Sequence, residues 1–419
     1  MDRARLALIL VRNTVSHDNR VLREVETLEL SGYAVLVAGV VSTDEPDRRA
    51  RVGDTNVVRL DPLAALGRRR RRRPDPFAAP EAEPGPTPTP PNTSSNPGSA
   101  RAGRARTRAR LRRLAVTASY YTQGAALCAR TAPALVHAND YNTMWIALAA
   151  KLLRGSRVVY DCHELWGDRN GRPELRAWLL ACEAAFVRLA DVTITASPGY
   201  AEAIARRYRV PRPIVVRNIS AAPDASVPAL ARAPGPPLAV YIGGLMPGRG
   251  LEQGIDALAL VPDLRMRLIG PGSAAYRSSL VALAQRLGVV DRLELAAPVA
   301  PTAVLEALAD ADIGLMLIQP ICRSYELTLP NKLFEYAAAG LPILASDLPV
   351  IGRVVREEAL GVVVAPGDTE QIAAGLRALA DPERNREIRT SVRCFARANL
   401  WERERAVLAS VYATVAAVG

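Results

Sequence analysis

The segment Tyr241–Glu252 reads YIGGLMPGRGLE and joins the end of an apolar run to a glycine-rich turn and the start of a helical pattern. Residues 238–242 before the turn are all apolar, which is typical of a strand buried on both faces of a parallel sheet. The same succession of apolar run, turn and helical pattern recurs through most of the chain. We therefore predict an α/β fold of parallel sheets with crossover helices.

The predicted strands fall into two groups, one in each half of the chain. They cover residues 6–11, 34–41, 135–138, 157–161 and 192–196, then 238–242, 265–269, 313–318, 343–345 and 362–364. Helices are predicted at 18–31 and from near Leu251, Tyr276, Thr302 and Asn331. This pattern predicts two Rossmann-like, doubly wound domains, at 1–219 and 238–395. The Pro- and Ala-rich residues 220–237 are the predicted linker between them.

The basic charge of the chain is concentrated in one segment. The formal net charge is +12, and residues 67–113 contribute +10 of it. The rest of the chain is nearly neutral, so we expect no nucleic-acid partner. Residues 67–110 are rich in Arg, Pro, Thr and Ser, and we predict a disordered insertion there. Two interpretations stay open: a solvated surface loop, or attraction through 67–113 to an anionic membrane or an acidic partner.

The cysteines and the first residues indicate a cytoplasmic protein, with peripheral membrane contact as an option. The five cysteines show no CxxC spacing, and a chain of 419 residues can form a core without disulfides. The apolar run at 6–11 is too short for a signal peptide or a membrane span. The enrichment in Ala and Arg suggests a GC-rich bacterial genome.

The segment Leu329–Pro342 (LPNKLFEYAAAGLP) is the first candidate for a binding site. Pro330 suits the start of a helix and Gly340 its end. Lys332 would lie in the first turn, where its charge adds to the positive helix terminus, and Glu335 one turn later. A cation for phosphate and a carboxylate for sugar hydroxyls suit a nucleotide-sugar. A surface ion pair is the alternative, but Lys332 is one of two lysines among 54 basic residues, so its retention favours function.

Two glycine-rich turns are the next candidates. Gly243 and Gly244 follow an apolar run, and paired glycines let the backbone approach a phosphate. Arg249, at the start of the following helix, could bind phosphate with two hydrogen bonds. Gly270 and Gly272 follow the next strand and could lie beside a nucleotide. Ordinary chain turns explain both pairs of glycines as well.

Together these segments resemble the family 4 retaining glycosyltransferases of GT-B fold. The similar stretches in the second half are YIGGLMPGRGLEQGIDAL, LRMRLIGPGS and ADADIGLMLIQ followed by LPNKLFEYAAAGLPILASDLP. In the first half they are HDNRVLREVETLELSGYAVLVAGV and DCHELW. The resemblance implies an acceptor-binding first domain, a nucleotide-sugar-binding second domain and a cleft between them. It also implies that NLWERERAVLASVYATV, within 396–419, is a helix that crosses back to the first domain.

The resemblance also assigns roles to single residues. Glu335 matches the second Glu of the family's Glu-x7-Glu motif, which is expected to bind the donor ribose. Arg249 stands where the family has a phosphate-binding Lys, Lys332 fits a subgroup variant, and His163 matches the His that faces the donor sugar. In this motif the first Glu would fall at Leu327, and Glu326 is the nearest carboxylate. A second departure is Gly244, which stands where the family has an Arg.

Several polar residues after strands of the first half are candidate acceptor contacts. His17, Asp18 and Arg20 follow the first predicted strand, and Asp140 follows the predicted strand 135–138, next to His137 and Asn139. Capping of the next helix explains Asp18 and Asp140 equally well.

The expected reaction moves a sugar from a nucleotide-diphosphate sugar to an acceptor hydroxyl with retention of anomeric configuration. The acceptor is a glycan, a lipid-linked saccharide or a small molecule. We expect no cofactor and no metal, because we find no Asp-x-Asp carboxylate pair to hold a divalent metal beside the phosphates. The alternatives are an epimerase or hydrolase of the same fold, which would turn over without acceptor, and a non-catalytic nucleotide-sugar-binding protein.

Overall fold

The structure is a computed structural model that describes residues 5–16, 18–66, 98–169, 175–219 and 235–417, with side chains omitted for 65–66 and 98–107. His17 and most of the predicted linker, 220–234, lie outside the described residues. So does most of the predicted insertion, residues 67–97. The remaining residues of that insertion form the beginning of a long helix.

Contacts divide the chain into two compact units. Unit 1 consists of Met1–Asp161, Phe186–Val192 and Tyr412–Gly419, and unit 2 of Cys162–Ala185 and Thr193–Val411. The end of the C-terminal helix thus belongs to unit 1.

The first sheet has eight strands in the order β3-β4-β2-β1-β5-β6-β7-β8. Its described pairs are parallel except β3 with β4, which are antiparallel. The strands are β1 (Leu6–Leu10), β2 (Ala34–Val40), β3 (Arg49–Val52), β4 (Thr55–Leu60), β5 (Leu135–Asn139), β6 (Arg157–Cys162), β7 (Val192–Thr195) and β8 (Ile214–Val215). The helices between them are α1 (Asn19–Leu30), α2 (Gly98–Thr131), α3 (Tyr141–Arg154), α4 (Arg176–Leu189) and α5 (Pro198–Tyr208).

The second sheet has six strands in the order β11-β10-β9-β12-β13-β14, all parallel. The strands are β9 (Leu238–Ile242), β10 (Arg265–Ile269), β11 (Leu293–Ala296), β12 (Ile313–Met316), β13 (Ile343–Ser346) and β14 (Gly361–Val364). The helices are α6 (Leu251–Ala259), α7 (Ala274–Arg286), α8 (Val304–Leu308), α9 (Arg323–Glu326), α10 (Asn331–Ala338), α11 (Ile351–Glu357), α12 (Thr369–Ala380), α13 (Pro382–Ala398) and α14 (Trp401–Ala417).

Alternate residues of β9 pack into separate hydrophobic clusters of unit 2. Leu238, Val240 and Ile242 belong to one cluster, and Ala239 and Tyr241 to the other. Successive side chains of a strand point to opposite faces, so a central strand covered on both faces is apolar throughout. The helices therefore cover the second sheet on both faces, as the uninterrupted apolar run predicted.

All ten predicted strands are present, and the parallel, doubly wound architecture is confirmed. The bounds of β9 and β10 are as predicted, and α6 and α10 begin at the predicted residues. Four short strands were not predicted: β3, β4, β8 and β11. The antiparallel β3 adds an edge to the first sheet and is joined to β4 by a tight turn at Gly53 and Asp54.

Helix α2 is the longest described helix, with 34 residues. Its second half packs on α3, where a Cβ at Gly124 would overlap the Ile146 side chain. Across the described residues, no helix combines the length and the apolar character that a membrane span needs.

Candidate nucleotide-sugar site

The glycine turns lie together at the carboxyl edge of the second sheet. Because β9 and β10 are parallel neighbours, Gly243 and Gly270 follow their ends side by side, and the amide of Gly243 donates to the Ile269 carbonyl at 3.0 Å. Gly270 has a φ of +144°, and a Cβ there would lie 2.0 Å from the Gly243 carbonyl oxygen. Gly272 pairs with Leu245 in the same way, one step further along. At Gly270 and Gly272 the backbone of the neighbouring turn occupies the space that a side chain would need, so the two turns pack directly against each other.

Lys332 extends from the first turn of α10 to these turns. Its side chain is only 7% exposed, and its Nζ lies 3.7 Å from the centre of the Tyr241 ring. A Cβ at Gly243 would be 3.3 Å from Nζ, so the amine lies against the β9 turn. Burial holds the pKa of Lys332 well below its usual value, Arg249 lowers this pKa further, and Glu335 acts in the opposite direction. A buried amine next to glycine backbone is well suited to an anion that would restore its charge.

Arg249 is held by an aromatic ring from α9. Its guanidinium carbon lies 4.6 Å from the centre of the Tyr325 ring, and its buried Nε makes no hydrogen bond. The next residue, Gly250, has a φ of +75°, and a Cβ there would lie 1.9 Å from the Leu317 carbonyl oxygen. The start of α6 thus packs directly on the chain that leaves β12. The charge of Arg249 is close enough to lower the pKa of Lys332, so the two cations predicted for phosphate lie in one neighbourhood.

Tyr336 fixes α10 to the strands beneath it. Its hydroxyl accepts from the Ile242 amide at 3.2 Å and donates to the Leu315 carbonyl at 3.0 Å. A Cβ at Gly314 would overlap the Tyr336 ring. One residue earlier, Glu335 is half-buried and one turn from Lys332. These contacts tie the helix that carries Lys332 and Glu335 to the ends of β9 and β12.

The two residues in question for the first Glu of the motif are placed differently. Leu327 is buried at 5% exposure, and its carbonyl accepts from the Ser197 hydroxyl at 2.6 Å. The Glu326 carboxylate, on α9, accepts from Arg323 at 2.6 Å. α9 is further held by Tyr200, whose hydroxyl donates to the Ser324 carbonyl at 2.9 Å.

His163 follows β6 directly and is half-buried. A hydrogen bond holds the backbone next to His163, since the Thr195 hydroxyl donates to the Cys162 carbonyl at 2.7 Å. Glu183 lies fully buried nearby, accepts from the Tyr208 hydroxyl at 2.6 Å, and also accepts from the Trp166 backbone. Burial raises the pKa of Glu183. The loop backbone is therefore well ordered by buried groups that the sequence analysis did not identify.

The candidate acceptor residues of unit 1 are engaged in local structure. Asp18 caps α1, accepting from the Arg20 and Val21 amides. The Arg20 guanidinium is 4% exposed and donates twice to Asp161, at 2.7 and 2.9 Å. Asp140, the residue before α3, has a φ of +65° and makes no side-chain cap.

The neighbouring candidates are buried with them. The His137 Nδ1 lies 3.0 Å from the Tyr412 hydroxyl of α14, and the Asn139 amide donates to Glu24 at 2.9 Å. The ligand atoms of Glu24, His137 and Asp161 lie within 4.8 Å of one another, a set that could hold a metal ion. Arg20, however, already supplies a positive charge to Asp161. This cluster therefore forms a buried charge network around a guanidinium.

An Asp-x-Asp pair does occur, at Asp310 and Asp312, but at the opposite edge of the sheet from the glycine turns. The two residues precede β12, and both are engaged. Asp310 accepts from Arg267 at 2.8 Å, and Asp312 accepts from the Leu238 amide at 2.9 Å. The pair therefore does not lie beside the predicted phosphate site.

Tyr241, Tyr325 and Tyr336 were missed in the sequence. Each is a contact for the site through partners far along the chain. The only indication in the sequence is that these residues are aromatic, in a chain where aromatic residues make up 5%. In the structure the three of them lie at one edge of the second sheet.

Both halves of the chain match families of known proteins. The family "Glycosyl transferases group 1" matches residues 236–381, and "Glycosyltransferase Family 4" matches 79–218. The chain belongs to the family 4-like glycosyltransferases of GT-B fold. A relative, the D-inositol 3-phosphate glycosyltransferase of Nocardia farcinica, is 29% identical over 178 residues, which are 40% of this chain and 38% of the relative. The chain spans less than two thirds of the first curated relatives that it matches.

Solved structures share the fold at lower identity. Sucrose-phosphate synthase from Thermosynechococcus elongatus has a TM-score of 0.72 at 19% identity, with 100% of both chains covered. Anabaena Alr3699/HepE, solved in complex with UDP-glucose, has a TM-score of 0.68 at 14% identity, covering 98% of this chain and 100% of that one.

Proposed function

We propose that this protein transfers a sugar from a nucleotide-diphosphate sugar to an acceptor hydroxyl with retention of anomeric configuration. One observation carries the proposal. The buried Lys332 amine lies against the glycine turn at the carboxyl edge of a parallel sheet, close enough to Arg249 for that charge to lower the Lys332 pKa. Ligands of open α/β sheets bind at this edge, and helix N-termini favour anions.

The donor is proposed to bind with its diphosphate at the β9 and β10 turns. Lys332 would contact a phosphate oxygen as a compact charge, and Arg249 with a planar guanidinium. Glu335, one turn along α10, would accept hydrogen bonds from the ribose hydroxyls. UDP-glucose is the ligand of one structural neighbour, which supports including UDP-sugars among the donors to test.

In the proposed reaction the anomeric C–O bond to the diphosphate breaks and a C–O bond to the acceptor forms on the same face. The acceptor hydroxyl loses its proton to the departing phosphate oxygen. Negative charge grows on that phosphate as the bond breaks. Arg249, Lys332 and the N-terminus of α10 would stabilise it, and such preorganised charge is usually the largest contribution to catalysis.

Residues outside the diphosphate site complete the proposal. His163 would face the transferred sugar. Glu326 would offer the carboxylate that the Leu327 position lacks. Its ion pair with Arg323 is partly exposed and stabilises the protein by at most about 1 kcal/mol, so Glu326 can leave this pair to bind the donor. The proposed contacts for the acceptor are Asp18, Arg20 and Asp140. Arg20 would act by positioning Asp161, to which it donates two hydrogen bonds.

The first experiment identifies the donor. UDP-, GDP- and dTDP-sugars are screened by thermal shift on the wild type, Glu335→Gln and Glu326→Gln, with Arg323→Gln as control. We expect one nucleotide class to stabilise the wild type, and both Glu variants to lose part of that stabilisation. A chain that no nucleotide-sugar stabilises would exclude the donor site.

The second experiment tests the transfer itself. The stabilising donor is incubated with inositol phosphate, suggested by the name of a relative, with phosphatidylinositol and with simple sugars. Product configuration is read by NMR. We expect transfer with the donor's anomeric configuration; an inverted product contradicts retention. Turnover without acceptor indicates a hydrolase or epimerase, and binding without any turnover indicates a non-catalytic binding protein.

A further inference from the structure

Helix α2 is strongly basic over its first half. Its 34 residues include eight Arg and no acidic residue, and seven of the eight precede Leu114. Arginines at positions three and four apart on a helix repel one another. Among the described side chains, Arg108 and Arg112 are four positions apart, and Arg110 and Arg113 are three apart. The repulsion within these pairs is unfavourable, and a negatively charged surface would relieve it.

The described end of this basic half is exposed to solvent. We name residues 108–114 the α2 arm. Arg108, Arg110 and Arg113 are exposed, and among the described residues no ion pair engages them. Burial of the helix begins only afterwards, with Val116 at 1% exposure. The arm is thus an accessible charged surface on a helix whose second half is anchored in unit 1.

Two large apolar side chains project from the same arm. Leu111 is 61% exposed and Leu114 65% exposed, and their i, i+3 spacing places them on one face of the helix. Arg108 and Arg112 flank that face on one side, with Arg110 and Arg113 on the other. An apolar face bordered by cations matches the boundary between headgroups and acyl chains of an anionic bilayer. A purely polar ligand such as nucleic acid would leave both leucines in water.

We propose that the α2 arm docks on the surface of a membrane that contains anionic lipid. The arginines bind the lipid headgroups, and Leu111 and Leu114 enter the interface between them. This contact does not depend on the transferase activity, because the arm belongs to unit 1 and the donor residues to unit 2.

The expected strength follows from the charge. Each basic residue near an anionic surface raises binding about five-fold, so four arginines together contribute about 10²- to 10³-fold. Two partly inserted leucines add roughly ten-fold. The electrostatic part falls with salt, because the Debye length shortens from about 10 Å at 0.1 M to about 3 Å at 1 M.

The test is co-sedimentation of the full chain with vesicles of phosphatidylcholine alone and of phosphatidylcholine mixed with phosphatidylglycerol. We expect binding to the mixed vesicles only, and release by salt. Changing all four arginines of the arm to Gln should lower the binding at least 10²-fold, and the double change Leu111→Ser and Leu114→Ser about ten-fold. Circular dichroism and nucleotide-sugar thermal shift verify that each variant is folded.

A charge-matched control removes four exposed arginines from α13, namely Arg384, Arg386, Arg393 and Arg397, again by Gln. It should bind the mixed vesicles nearly as well as the wild type. Equal losses in both quadruple variants would show a general charge effect and overturn the proposal. So would binding to duplex DNA or RNA without vesicle binding, or vesicle binding unchanged by the arm variants.

Discussion

Replacing Lys332 by Met removes a buried charge from the predicted diphosphate site while keeping the volume of the side chain. In the ligand-free protein, burial disfavours the charged amine and lowers its pKa. The unfolded chain therefore binds this proton more readily than the folded chain, and the lysine costs stability at neutral pH. Lys332→Met is expected to unfold at the same temperature as the wild type or at a higher one when no ligand is present.

With a nucleotide-sugar the order reverses. A charge-assisted hydrogen bond to phosphate contributes about 1.5–3 kcal/mol, so its loss weakens binding about 10- to 100-fold. A ligand at 100 times its dissociation constant stabilises the wild type by about 2.7 kcal/mol. The same concentration would stabilise the variant by about 0.4–1.4 kcal/mol. At about 2–4 °C per kcal/mol, the ligand-induced shift falls from about 5–10 °C to about half of that or less.

The assay is a thermal unfolding series with and without the nucleotide-sugar that stabilises the wild type. Lys151→Met is the matched control, because it changes the other lysine of the chain, a partly exposed residue paired with Asp191 in unit 1. The control should keep the full ligand-induced shift. If Lys332→Met also kept it, Lys332 would not contact the donor.

The pH dependence of donor binding is a second test of the contact between Lys332 and the diphosphate. Since a bound diphosphate favours the ammonium form, binding takes up a proton on Lys332. Donor affinity should therefore fall as pH rises through the lowered pKa of this amine. The part of the pH dependence that comes from Lys332 should be absent in Lys332→Met, as measured by titration calorimetry across pH. An identical pH profile in both proteins would contradict the assignment.

Other predictions concern the supports of the site and of the fold. Gly270→Ala should destabilise the protein by about 3 kcal/mol or more in urea unfolding, since the new Cβ would overlap backbone; Gly288→Ala, at a positive φ in open space, should cost about 1–2 kcal/mol. Tyr325→Ala should weaken donor binding about 2- to 30-fold by releasing Arg249, whereas Tyr325→Phe keeps the ring and the affinity. Asp191→Asn should lower the free energy of unfolding above about pH 4. Burial acts to raise the pKa of the Asp191 carboxyl, but its hydrogen bonds to cations and to an amide lower this pKa below 3.8 in the folded protein. The difference in stability between the variant and the wild type should therefore shrink as pH falls through the lowered pKa.

The sequence predicted the buried strands well because their signal is local. Residues 238–242 form an apolar run between Pro237 and Gly243, and residues 265–269 end at Gly270; β9 and β10 have these bounds. The missed β3 reads RARV and is only partly buried, so it lacks the apolar run that marks a central strand. β8 and β11 are likewise short and partly exposed, and their pairing depends on neighbours distant in sequence.

The site was predictable in its charged residues and glycines, but not in the contacts that hold them. The Lys332 amine lies over Tyr241, 91 positions earlier in the chain, and Arg249 lies over Tyr325. Neither contact can be predicted from the spacing of residues in the sequence, because each depends on how parallel strands bring distant loops together. Arg20 shows the same limit: its partner Asp161 is 141 residues away.

The central claim is that a nucleotide-sugar binds at the carboxyl edge of the second sheet, between the glycine turns and α10. A crystal structure of the protein with its stabilising nucleotide-sugar tests this most directly. We predict diphosphate oxygens within hydrogen-bond distance of the Lys332 Nζ and the Arg249 guanidinium, and a ribose hydroxyl on Glu335. A nucleotide bound elsewhere, with Lys332 still lying only on Tyr241, would contradict the account.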